Sequence, residues 1–287
     1  MKKMFCLTRI AIGATTFFST FLLVFSSFFF TNNVWKAVFL GFVQGFTEWL
    51  PISSSGHLVI IQHFINVKMP LSFDVALHVG TLSSVFWFFR KDIAKIFSRL
   101  IKLDFKSYEG KLACYVIWGT LPLLIIGFVF HDFVAKLFTN LFVVGISLLI
   151  TGAMLYPVKF TNNEKLLDGK KAFLIGLAQS VALIPGISRS GFTLSVGCRL
   201  GLNRETAFKF SFLMAIPAII ASSIFEFLTQ TPSEMDLVVT GIGMVVASVV
   251  GYLSIKVFNK IMLKNRLNLF AYYCFIVGFV TLVFNFI

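Results

Sequence analysis

Acidic side chains are scarce in this sequence. Only 12 of 287 residues are Asp or Glu, against 25 Lys or Arg, and charged residues make up 13% of the chain. A water-soluble domain carries about a quarter charged residues, so this shortage excludes one. Cysteine is sparser still. Cys6, Cys114, Cys198 and Cys274 stand far apart, with no CxxC pair and no metal-ligand spacing. That excludes a disulfide scaffold or a zinc module, and the four read as small apolar fillers. No basic-aromatic surface motif of a nucleic-acid-binding domain occurs. The net charge of +13 falls mostly in short segments between apolar runs, where cations act as topology determinants. No nucleic-acid partner is expected.

What is abundant is hydrocarbon. Hydrophobic residues are 57% of the chain, 37 of them Phe, and the mean hydropathy is +0.90. Long apolar runs fall near 10–30, 73–89, 112–130, 141–158, 208–228, 237–258 and 268–287. Each is close to the ~20 residues that a helix needs to cross a bilayer. Two further stretches, 34–66 and 172–200, are interrupted in the middle by Pro, Ser and Gly. Broken helices at membrane depth survive where protein or a watery cavity satisfies the freed backbone. Both stretches therefore read as re-entrant helix–turn–helix hairpins. The expected fold is an all-α polytopic membrane protein with about six core transmembrane helices, preceded by an apolar segment at 1–33.

Loop cations give an orientation. Segments 90–111, 159–171 and 256–266 are rich in Lys and Arg, whereas 131–140 has one cation and 229–236 none. The basic segments are expected in the cytoplasm and the other two outside. Lys2, Lys3 and Arg9 before the first apolar run resemble a signal sequence, but no small-residue cleavage site follows. An uncleaved anchor helix is favoured, with one integral-membrane domain over 34–287.

Comparing the chain with itself exposes a repeat. Residues 41–56 align without gaps on 176–191, with identities at Gly41/Gly176, Gln44/Gln179, Ile52/Ile187, Ser53/Ser188, Ser55/Ser190 and Gly56/Gly191. Three spans separate the copies, and an odd number of crossings inverts the second. In inverted repeats, which start here near 34 and 172, the working site lies where the broken helices of the two halves meet.

The two copies carry different chemistry. In the first, Gln44 and Glu48 share a helix face at i, i+4. Pro51 ends that helix, and Ser53, Ser54 and Ser55 turn the chain toward His57. In the second, Pro185-Gly186 breaks the helix, and Ser188, Arg189, Ser190 and Gly191 open the next. Free N–H groups at a helix N-terminus favour an anion, and a guanidinium suits bidentate phosphate binding. A carboxylate in an apolar segment is costly and marks a functional site, so Glu48 is a candidate base or cation ligand, with Gln44 beside it. His57 is a candidate proton relay. Ser54 reads either as a nucleophile activated by His57 or as a capping residue. His63 and His78 read as packed or interfacial.

These residues also resemble a known family. Gln44-Gly-Phe-Thr-Glu48-Trp-Leu-Pro-Ile-Ser-Ser-Ser-Gly-His57 is similar to the first signature of the bacterial undecaprenyl-diphosphate phosphatases of the bacitracin-resistance type. Leu183-Ile-Pro-Gly-Ile-Ser-Arg-Ser-Gly191 is similar to the second, and Phe73–Gly80 and Glu205–Pro217 also look familiar. The likeness runs from about residue 34 to the C-terminus. It implies hydrolysis of undecaprenyl diphosphate to undecaprenyl phosphate, which recycles the lipid carrier for peptidoglycan and other wall polymers and confers bacitracin resistance. It also implies a divalent cation (Mg²⁺ or Ca²⁺) and a site facing the periplasm from the bacterial inner membrane. Glu48, His57 and Ser54 match the family's catalytic positions. Arg189 is expected to bind substrate with Ser53, Ser55, Ser188, Ser190 and Gly191. Glu48 and Gln44 are expected at the metal. The rival class is a transporter or flippase, because inverted repeats are common there. The sequence leaves the oligomeric state open.

Overall fold

A computed structural model describes residues 33–67, 69–159, 165–229 and 236–285. The expected anchor helix at 10–30 and Glu234 of the acidic outer segment lie outside the described residues. All regular structure among the described residues is helical.

The first broken stretch becomes α1 (Asn33–Trp49) and α2 (Ser54–Phe64), parted at Pro51 as the sequence predicts. Next come α3 (Leu71–Phe88), α4 (Arg90–Ile101), α5 (Tyr108–Val129), α6 (His131–Leu137) and α7 (Leu141–Leu155). The second broken stretch forms α8 (Gly169–Val181) and α9 (Arg189–Arg199). The chain ends with α10 (Arg204–Thr229), α11 (Leu237–Leu263) and α12 (Asn268–Asn285). Of these, α5, α10, α11 and α12 are each long and apolar enough to cross a membrane, and the number is six if each of two bent pairs is one span.

Those bent pairs refine the sequence reading. Segments 90–111 and 131–140 are not simple loops. The chain turns 83° at Phe89 to form α4, and 95° between α6 and α7. The cause for α4 is composition: five of its twelve residues are charged, and no such helix continues a span through hydrocarbon. Polar caps start several of the other helices. Ser107 caps Gly110, Asn140 caps Phe142 and Val143, Asp168 caps Lys171, and Asp236 caps Val238 and Val239.

Large apolar side chains point outward, among them Ile125, Ile276 and Phe279. That is the expected surface of a protein solvated by lipid. Inside, Trp49, Phe208, Phe212 and Phe258 form an aromatic stack, with the Phe208 and Phe212 ring centroids 4.3 Å apart. The re-entrant helices are held by glycine contacts. A Cβ on Gly41 of α1 would lie 2.5 Å from the Gly243 carbonyl of α11. A Cβ on Gly176 of α8 would collide with the Gly119 carbonyl of α5. Without a hydrophobic force between helices in lipid, such backbone approach supplies the packing.

Cross-links sort the helix ends. Lys209 on α10 donates to Asp92 on α4 (2.9 Å), and Arg204 donates to the Leu263 carbonyl of α11 (2.8 Å). The Cys198 thiol of α9 meets the Lys159 carbonyl after α7. The basic segments thus gather at one end of the bundle. At the other end, His131 of α6 meets Glu226 near the end of α10, and the Phe64 and Phe284 rings join the ends of α2 and α12. The segments rich in Lys and Arg are thus grouped apart from the other two, as the loop cations predict.

Candidate active site

The two hairpins match almost bond for bond. Ser53 Oγ accepts from Gly56 N–H, and Ser188 Oγ accepts from Gly191 N–H, both at 3.2 Å. The Ser53 and Ser55 hydroxyls lie 3.3 Å apart, as do those of Ser188 and Ser190. The Pro51 carbonyl accepts from the Cys274 thiol of α12, and its counterpart, the Gly186 carbonyl, accepts from the Thr151 hydroxyl of α7. Each serine turn is therefore a fixed helix start, and the halves are inverted copies in detail.

One difference has a plain cause. Gly186 sits at φ +94°, a conformation that glycine adopts at little cost. Its counterpart is Pro51, whose ring locks φ near −65°. In the first turn the left-handed conformation appears instead at Ser53, at φ +69°. A serine there is strained by about 1–3 kcal/mol. The strain sits immediately beside Ser54.

The halves meet at Glu48. Its Oε1 accepts from Arg189 Nη2 at 2.6 Å, a bond between α1 and α9. Its Oε2 accepts from Ser54 Oγ at 2.6 Å and from Gln44 Nε2 at 2.9 Å. His78 Nε2 of α3 lies 3.5 Å from the same oxygen. The Arg189 guanidinium lies over the Trp49 ring, 5.2 Å from its centroid, and Trp49 Nε1 is anchored on Ser84 Oγ at 2.9 Å. Glu48 is only 8% exposed, so its charge is matched by hydrogen bonds and Arg189 rather than by bulk water. Arg189 Nη1 is buried and makes no hydrogen bond within the protein. It remains a donor for an anion.

This cluster forms one end of a cavity of about 510 Å³. Glu48, Ser53, Ser54, Ser55, Ser188 and Arg189 line that end. Apolar residues of α5, α6 and α10 continue the wall, including Leu123, Phe128, Val134, Ile219 and Phe225. His131 and Glu226 also line it. A polar head with a long apolar flank is the shape that an amphipathic lipid requires.

Not every expected site residue reaches the cavity. His57 is buried beside it. Its Nδ1 bonds the Ser53 carbonyl and its Nε2 the Tyr273 hydroxyl, each at 2.7 Å. The expected pairing of Ser54 with His57 is not made, because the Ser54 hydroxyl donates its hydrogen bond to Glu48. Ser190 donates to the Leu50 carbonyl of the first hairpin, and Gly191 closes the cap, so these two brace the turns. Conversely, His78 was read as packed or interfacial and in fact faces Glu48 along the cavity wall. Its signal was available: an ionisable residue on an apolar helix, one turn after Asp74.

The donor set can be tested against a divalent cation. Among the described residues there is no group of three or more His, Cys, Asp or Glu that could hold a metal. A cation that shares substrate phosphates needs only one or two carboxylates from the protein. Glu48 supplies one. Beside it, Gln44 Oε1 is buried and has no hydrogen-bond partner. In this structure the Gln44 amide turns Nε2 toward Glu48; with the amide turned over, its oxygen would take that place beside the carboxylate, and the pair then fits a hard cation.

Comparison with known proteins leads to the same two hairpins. The chain is 39% identical to the undecaprenyl-diphosphatase of Korarchaeum cryptofilum (strain OPF8), over 85% of this chain and 96% of that protein. It is 41% identical to the undecaprenyl-diphosphatase of Desulfosudis oleivorans, over 86% and 97%. It is 37% identical to that of Methanosphaera stadtmanae, over 88% and 98%. Residues 37–280, which span both hairpins and the Glu48 cluster, match the family described as bacitracin resistance protein BacA, and the chain belongs to that family.

Proposed function

We propose that this chain hydrolyses undecaprenyl diphosphate to undecaprenyl phosphate and inorganic phosphate. The observation that carries the reading is the Glu48–Ser54–Arg189 cluster, assembled from both inverted hairpins at the polar end of an apolar-walled cavity. The names of the relatives support the substrate class.

The chain's own groups fit each step. Arg189 Nη1 and the N-termini of α2 and α9 bind phosphate oxygens. The free Ser53 and Ser55 hydroxyl capacity adds donors. The nucleophile, either Ser54 Oγ or a water in its place, attacks the terminal phosphorus. Its proton passes to Glu48, 2.6 Å from Ser54 Oγ. The bond between that phosphorus and the bridging oxygen breaks, and the electron pair leaves with the lipid monophosphate. Where Ser54 is the nucleophile, a second attack by water releases phosphate from it. His57 holds the Ser53–Ser54 turn through its bond to the Ser53 carbonyl. Glu48 and Gln44 Oε1 would hold Mg²⁺ or Ca²⁺, which when bound neutralises phosphate charge.

Phosphate release from C55 isoprenyl diphosphate, by wild type and Glu48→Ala with and without EDTA, tests the reading. Turnover by wild type alone, lost with EDTA, is the expected result. No release by wild type in detergent would overturn the reading and favour transport, the alternative that the inverted repeat supports. We place the protein in the bacterial inner membrane with the site toward the periplasm. The clustered basic helix ends support that orientation. The product is then the recycled carrier for wall polymers, and the bacitracin resistance associated with the family follows from depletion of its diphosphate form.

A further inference from the structure

Helix α4 and the turn after it present three stripes. The first faces the protein: Ile93 and Ile96 pack on the main core, and Asp92 accepts from Lys209 of α10 at 2.9 Å. The second is apolar and exposed. Phe97 is 64% and Ile101 68% exposed, and Leu103 and Phe105 extend it. The third is basic, with Lys91, Lys95 and Lys102 on one helix face and Lys106 just beyond. All four lysines are exposed, and among the described residues none forms a salt bridge with a carboxylate. Arg99, by contrast, is paired with Asp104 at 3.2 Å.

The helix leaves the span of α3 at 83°. A helix crossing a bilayer and then turning so sharply runs close to the membrane plane. The protein stripe fixes its rotation. The apolar stripe then enters the acyl boundary while the lysines stand at headgroup level, the geometry of an interfacial amphipathic helix. The eight exposed apolar and cationic side chains pinned this way cost little further ordering, because α4 is already anchored by Ile93, Ile96 and Asp92.

We propose that α4 with residues 102–106 is a binding surface for anionic phospholipid headgroups, with Lys91, Lys95, Lys102 and Lys106 as the phosphate contacts. The occupant is a phospholipid of the leaflet on the basic side of the bundle. Charge complementarity selects it: each lysine near an anionic surface adds attraction, and among the described residues no carboxylate forms a salt bridge with these four. The surface is separate from the Glu48 cavity, and the inference does not rest on the hydrolytic reading.

The test uses the full chain in mixed phosphatidylglycerol and phosphatidylcholine, followed by native mass spectrometry of the lipids retained. Wild type is expected to retain phosphatidylglycerol over phosphatidylcholine by on the order of tenfold at low salt, with the preference collapsing near 1 M salt as the Debye length falls to about 3 Å. The variant K91Q/K95Q/K102Q/K106Q is expected to lose most of that preference while remaining monodisperse, since all four side chains are exposed and form no salt bridge among the described residues. A second variant, K256Q/K260Q/K264Q, removes cations from the end of α11 at the same side of the bundle and is expected to keep it. A wild type without preference overturns the proposal. So does an α4 variant that retains the preference, or an α11 variant that loses it equally.

Discussion

Arg189 and Glu48 join the two halves of the repeat, with Nη2 2.6 Å from Oε1 and the guanidinium 5.2 Å from the Trp49 ring centroid. The pair puts an anion-binding donor from α9 beside a carboxylate from α1. Neither hairpin alone holds both.

The guanidinium bonds Glu48 through Nη2, covers the indole with its plane and keeps Nη1 for an anion. An ammonium, as a point charge, cannot make all three contacts at once. Arg189→Lys is therefore expected to lower kcat/KM for isoprenyl diphosphate by about 10²-fold, the loss typical of one electrostatic stabiliser. Phosphate release by the purified variant measures this, and near-wild-type turnover would remove Arg189 from the phosphate clamp.

Ser54 separates two reaction courses. If its Oγ attacks, Ser54→Ala leaves only residual phosphate release, a fall of at least about 10²-fold, and labelled phosphate can be trapped on the wild-type serine. Full activity in Ser54→Ala would assign the attack to water.

Cation dependence has a structural correlate in Gln44, whose Oε1 has no partner in the protein. Gln44→Leu is expected to raise the cation concentration needed for half-maximal turnover several-fold, in line with the weight of outer-sphere and weak ligands. A titration with Mg²⁺ after EDTA treatment reads it. An unchanged cation requirement would take Gln44 out of the metal site.

The glycine contacts predict stability effects without chemistry. Gly41→Val drives a side chain into the Gly243 carbonyl. Overpacking costs about 1–3 kcal/mol, and backbone offers less relief than a flexible side chain. A lower Tm in detergent is expected. Gly241→Ala on the same α11 meets nothing within 4 Å and is the neutral control.

Much of this architecture was legible from local composition. Pro51 and Pro185-Gly186 each break a helix by sterics alone, so both hairpins could be placed from sequence. The match of 41–56 to 176–191 revealed the inverted pairing. Glu48 and Arg189 stood out because charge in hydrocarbon is expensive. Long-range geometry was less accessible. Nothing near His57 predicts Tyr273, 216 residues away. His78 looked like a lone packed histidine because its partner, Glu48, lies on another helix. The helical character of 90–101 was hidden by its charges, which read as a loop until the 83° turn is known.

The positive φ that falls on Gly186 in one turn and on Ser53 in the other makes the hairpins non-interchangeable parts. A gene built by fusing two copies of the first half would carry two strained serines, two carboxylates and no arginine to face them. Built from two second halves, it would have relaxed glycine turns and two guanidiniums repelling each other. The two halves thus divide backbone strain and charge between them, and the Glu48–Arg189 pair is charge-balanced only because the hairpins are unlike.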